Sequence, residues 1–137
     1  MTAKPLTKRE KSVRRHNIAT LLALMAFIAL VVRSTELVTL PGAVNFVAIM
    51  TLFVAIITMF RTRNADEYVA AIWRAGTSTA FIITAAVLIF LPFTEGFIDG
   101  LMGYENGQDI DASDASEMVI IASFFIANAW ARLRGTA

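Results

Sequence analysis

The sequence has no cysteine and a single histidine, His16. Without thiols there are no disulfides, no Cys-ligated zinc and no iron–sulfur cluster within the chain. One histidine does not supply the paired axial ligands of a membrane b-type cytochrome. Charge is also scarce. Only 17% of residues are Asp, Glu, Lys or Arg, where an average soluble domain has about 25%. The net charge is +1, and no basic stripe accompanies it, which argues against a nucleic-acid partner. In place of these features the 137 residues are 57% hydrophobic, with a mean hydropathy of +0.65. That is the composition of a small integral membrane protein.

Four uncharged apolar runs carry this reading. They cover residues 18–32, 38–60, 75–94 and 118–131. About 20 apolar residues in a helix cross a hydrocarbon core roughly 30 Å thick. The second and third runs meet that length, while the first and fourth are short and call for snorkelling flanks or a thinned bilayer. The runs are apolar on every side, so they are buried in protein or in lipid. The chain has too little polar sequence to cover four such helices in water. Nor do the runs alternate as transmembrane β-strands must. The first run resembles a signal peptide in its basic n-region and short core. However, Val31-Val32-Arg33 lacks the small residues of a cleavage site, so a retained helix is expected. The expected fold class is all-α: a single polytopic membrane domain, 1–137, of four transmembrane helices arranged as two antiparallel hairpins.

The net charge hides a strong polarity. Residues 1–17 form a basic tail with Lys4, Lys8, Arg9, Lys11, Arg14 and Arg15 against Glu10. The 61–74 link carries Arg61, Arg63 and Arg74 against Asp66 and Glu67, and the C-terminal tail carries Arg132 and Arg134. The 33–37 link holds Arg33 and Glu36. The link before the fourth run is wholly acidic, with Glu95, Asp99, Glu105, Asp109, Asp111, Asp114 and Glu117. Four crossings place eleven of the twelve basic residues on one side. The positive-inside rule then puts both termini in the cytoplasm of a bacterial inner membrane and the acidic 99–117 loop in the periplasm. Trp73 and Trp130 fall at the cytoplasmic interfaces, where indoles favour the headgroup level.

The links have their own signals. Asn64 followed by Glu67 reads as a helix cap, so the third helix is expected to start near Ala65. Asp66, Glu67, Tyr68 and Trp73 then form an interfacial anchor or a docking surface for a partner. Pro92 is expected to kink a helix that continues past it. The Asp109–Glu117 segment is spaced somewhat like a calcium loop, but it lacks the central glycine and its Glu comes too early. It reads as a solvated acidic loop, with Asp114 and Glu117 capping the fourth helix. No metal site is expected, and no cofactor is implied.

No Asp, Glu, Lys or Arg lies within the four runs. Intramembrane ionisable groups mark proton relays, ion paths and substrate sites, so a self-contained proton-coupled transporter is not expected. His16 is expected to be solvated in the basic tail. Small-xxx-small spacings at Ala19/Ala23, Gly76/Ala80 and Ser123/Ala127/Ala131 suit close helix packing. Asn45 and Asn128 are expected to bond within the bundle.

Around Asn64-Ala65-Asp66-Glu67-Tyr68 and Phe93-Thr94-Glu95-Gly96-Phe97 the chain resembles small uncharacterised inner-membrane proteins of proteobacteria. These have four predicted helices and an Asp-Glu-aromatic motif that opens the third. The extended acidic link of this chain departs from the shorter link of that group. The resemblance implies a fold and no activity, so it assigns no catalytic residue.

The functional expectation is non-enzymatic: an accessory or assembly subunit of a larger inner-membrane complex, respiratory or photosynthetic. Its partners would be membrane lipids, neighbouring subunits and a basic periplasmic protein at the acidic loop. The candidate contact residues are Asp66, Glu67, Tyr68, Trp73, Asp109, Asp111 and Trp130. The alternative is a small self-associating channel or transporter whose path uses Asn45, Thr51, Thr58, Thr84, Ser123 or Asn128. A third reading is an interfacial lipid enzyme acting through Asp66 and Glu67.

Overall fold

Thr7 opens the first helix with a reciprocal cap. Its hydroxyl accepts the Glu10 backbone N–H at 3.2 Å, and the Glu10 carboxylate accepts the Thr7 N–H at 2.6 Å. This arrangement satisfies two donors that a helix start otherwise leaves bare. In the computed structural model the described residues are 5–35, 41–103 and 112–135, with 112–115 described by backbone alone. Every regular element among them is helical: α1 (Lys8–Ser34), α2 (Gly42–Thr62), α3 (Glu67–Ala85), a π-helical turn (Ala86–Phe90), α4 (Leu91–Met102) and α5 (Ala112–Arg134). Asp109 and Asp111 lie outside the described residues.

Among the described residues four helices are long and apolar enough to cross a membrane: Lys8–Ser34, Gly42–Thr62, Glu67–Met102 and Ser116–Arg134. The chain is therefore built as a multi-pass membrane protein. The first and last helices are longer than their uncharged runs. At about 1.5 Å per residue, the 27 residues of α1 reach roughly 40 Å and the 23 of α5 roughly 34 Å. A charge ends an apolar run, but Lys, Arg and Glu are good helix formers and do not end a helix. The Thr7 cap starts α1 well ahead of Ile18.

The chain divides into two compact units, Met1–Trp73 and Arg74–Ala137. In the first unit α1 packs along α2. Ala19, Ala23, Ala26 and Phe27 are buried on α1, and Ala48, Leu52, Ala55 and Met59 on α2. Recurrence at three and four residues puts each set on one helix face, and the alanines let the backbones approach closely. The opposite faces carry exposed Leu21, Met25, Phe46 and Phe53. The beginning of α1 lies beside the end of α2, as the His16–Thr62 contact described below fixes.

α3 starts at Glu67, two residues later than the sequence implies, and Asp66 takes the capping place expected of Asn64. The Ala70 N–H bonds to the Asp66 carbonyl at 2.9 Å, and the amides of Glu67 and Tyr68 bond to the Asp66 carboxylate. An Asp carboxylate is the better terminus here because its charge also meets the positive end of the helix.

In the second unit the helical path continues through Pro92, as the sequence implies. The irregularity precedes the proline. The Leu91 N–H reaches back five residues to the Ala86 carbonyl. Pro92 has no N–H for the Leu88 carbonyl and its ring crowds that turn, and a widened turn relieves the crowding. α4 ends at Gly103, whose φ of 70° is left-handed, with its N–H on the Asp99 carbonyl. Gly76 of α3 sits against α5: a Cβ there would lie 2.7 Å from the Phe124 ring and 3.2 Å from its carbonyl oxygen. α5 begins at Ala112, so Asp114 falls inside its first turn instead of at the cap.

Candidate functional site at the basic end of α1 and α2

His16 is fully buried, contrary to the solvated position expected for it. Its Nδ1 lies 3.0 Å from Thr62 Oγ1. The Thr62 hydroxyl has a single proton and donates it to the Thr58 carbonyl at 2.7 Å. Its oxygen therefore accepts from His16, which fixes the proton on Nδ1. The imidazole also meets the Trp73 indole edge-on, with centroids 6.4 Å apart, and Phe60 meets the same indole at 6.4 Å. The Arg63 guanidinium lies over Phe60, 3.8 Å from the ring centroid.

A second tie lies nearer the end. Arg9 Nη2 contacts Asp66 Oδ1 at 2.5 Å, with side chains 65% and 31% exposed. The hydrogen bond from Arg9 is the chief reason the Asp66 carboxyl is held below its ordinary range, helped by the Glu67 and Tyr68 amides. The same pair raises the Arg9 guanidinium further. Asp66 is thus a paired carboxylate and not a proton donor near neutrality. Together Arg9, His16, Thr62, Asp66 and Trp73 fasten α1, the end of α2 and the first turns of α3. Val69 and Ile72, on the same part of α3, are buried at 2% and 0% exposure.

Of the sequence-derived candidates, this cluster brings together Asp66 and Trp73. Glu67 and Tyr68 are exposed beside it. Trp130 belongs to the other unit, where it is exposed and Arg134 lies 4.7 Å from its ring centroid. Among the described residues, no group of three or more His, Asp or Glu side chains is placed to hold a metal. Reasoning from sequence missed Arg9, His16 and Thr62. A signal for His16 was present, because His16, Ala19, Ala23 and Ala26 recur at three and four residues and mark one buried stripe.

Four of the six hydroxyl and amide residues considered for a polar path, Thr58, Thr84, Ser123 and Asn128, are engaged within their own helices. Thr58 donates to the Val54 carbonyl, Thr84 to Ala80 and Ser123 to Ile120, all within their own helices. Asn128 is 2% exposed, and its Oδ1 accepts from Arg132 Nε at 3.0 Å.

The chain matches no family model, no curated protein and no solved structure.

Proposed function

We propose that this protein is a non-enzymatic accessory or assembly subunit of a larger membrane complex in a bacterial inner membrane, with both termini cytoplasmic and the helices paired as two antiparallel hairpins. The observation that supports this reading is the long helical path from Glu67 to Met102. Its 36 residues reach about 54 Å at 1.5 Å each, against a hydrocarbon core of roughly 30 Å. With Trp73 at the cytoplasmic headgroups, the helix leaves the core near Thr94. Beyond that point Phe97, Ile98, Leu101 and Met102 are still largely exposed. Apolar side chains that continue past the bilayer want a protein neighbour. Phe81, Phe90 and Phe93 are also exposed, within the core region, where a neighbouring helix would cover them.

The test is recovery of the full chain from its native membrane in mild detergent. A stoichiometric larger assembly supports the subunit reading. A clean homo-oligomer that conducts solutes in liposomes favours a channel and removes it. Orientation is tested separately by single cysteines, which the thiol-free sequence makes clean. An impermeant maleimide applied from outside should label a cysteine at Gln108 and leave one at Asn64 untouched.

A further inference from the structure

From the groove between α1 and α2, we infer that the first helix pair binds one anionic phospholipid, with its phosphate on Arg15 and an acyl chain along the groove. This rests on the membrane character of the helices and not on the subunit reading. The groove is open and holds about 460 Å³. Arg15, Ile18, Ala19 and Leu22 line it from α1, and Met50, Val54, Ala55 and Thr58 are among its α2 residues. From Arg15 to Leu22 it follows the helix for about 10 Å, on a rise of 1.5 Å per residue. One leaflet of the hydrocarbon core is about 15 Å deep, so the groove takes most of a chain's length from the headgroup inward. The Thr58 hydroxyl is already spent on the Val54 carbonyl at 2.8 Å, so that below Arg15 the groove is apolar apart from the hydroxyl of Thr51.

Charge picks the occupant. Arg15 is exposed, and among the described residues no ion pair occupies it. Among the described residues no carboxylate lines this groove. A neighbouring groove of about 510 Å³ shares Ile18 and has Arg9 and Arg14. However, it also holds Glu10 and Asp66, and Arg9 is committed to Asp66. Its cations are matched by acids, so it has no surplus for a phosphate. A free cation at headgroup depth above an apolar channel suits an amphiphile with a negative head and a hydrocarbon tail, and suits a neutral lipid less well.

Native mass spectrometry of the full chain, released from detergent with equal phosphatidylglycerol and phosphatidylcholine, tests this directly. One phosphatidylglycerol should be retained about fivefold in preference, the weight of one basic residue near a membrane surface. Arg15→Gln should remove the preference, and Arg14→Gln should keep it. Both side chains are exposed, and circular dichroism confirms folding of each variant. Val54→Phe, which narrows the groove without altering charge, should reduce retention of both lipids. The inference fails if Arg15→Gln keeps the preference or if Arg14→Gln loses it equally. It also fails if Val54→Phe changes nothing, or if inorganic phosphate alone displaces the lipid. Disulfide dimers through Met50→Cys in lipid-free protein, lost in no lipid, would assign the groove to a second copy and overturn it.

Discussion

His16 donates from Nδ1 to the Thr62 hydroxyl across 3.0 Å, and this bond joins the start of α1 to the last residue of α2. Thr62→Val keeps the shape and removes the acceptor. A net intramolecular hydrogen bond is worth about 1 kcal/mol, so the variant should unfold earlier by about that much, while Thr62→Ser should stay close to the parent. Thermal unfolding in detergent at fixed lipid content measures both. Equal Tm values for parent and Thr62→Val would remove the bond from the account.

His16→Ala should cost more, about 2 kcal/mol or above, because it empties a fully buried position as well as breaking the bond. Trp73 supplies a readout beyond stability. Its indole loses an edge-on neighbour, so its emission should shift red as water enters. An unshifted spectrum in a Trp130→Phe background would contradict the packing.

Arg9 and Asp66 set a pH dependence. The Asp66 carboxyl is held low in the folded chain, first by the Arg9 hydrogen bond. The folded state therefore binds fewer protons than the unfolded one between the lowered value and the ordinary one of about 3.9. The contribution is complete above the ordinary value and disappears as pH falls through the lowered one. Asp66→Asn should flatten that part of the acid unfolding curve. Arg9→Gln should move the Asp66 carboxyl titration upward toward its ordinary range, read by carbon-detected NMR. An unmoved titration would mean the pair does not form in solution.

Gly76 allows α3 to meet α5 at Phe124. Gly76→Ala places a methyl 2.7 Å from the ring and 3.2 Å from a carbonyl that does not rotate away. Overpacking of this kind costs about 1–3 kcal/mol. Phe124→Leu should recover part of the loss in the double variant. Gly96→Ala is the control, since nothing lies within 4 Å of its added methyl. Comparable losses at both glycines would show that helix-wide effects, not this contact, are responsible.

Pro92→Ala returns an N–H to the Leu88 carbonyl. The π-helical turn at Ala86–Phe90 should then relax to an ordinary α-turn, which rotates α4 by about one residue's share of the 3.6-residue turn. Cysteines placed singly at 93, 97 and 98 should exchange their labelling rates accordingly. An unchanged pattern would show that the widened turn is held by packing and not by the proline.

The sequence by itself determined that the chain is helical and membrane-spanning. Four apolar runs cannot be hidden in water by so few polar residues, and that holds whatever the packing. It also carried the passage of the helix through Pro92 and marked Gly76 as a place suited to close helix packing, while the partner there, Phe124, came from the fold. The tertiary structure decided where polar residues go. His16 reads as a tail residue because its neighbours in sequence are Arg14, Arg15 and Asn17. It is buried because the Thr7 cap starts α1 early and turns residue 16 onto the alanine stripe, against Thr62 and Trp73. Asp66, not Asn64, opens α3, where its carboxylate meets the Glu67 and Tyr68 amides and also Arg9, 57 positions away. The scarcity of histidine and charge excluded chemistries. Long-range contacts gave the few that remain their places, because a hydrogen bond or ion pair joins residues that no sequence window contains together.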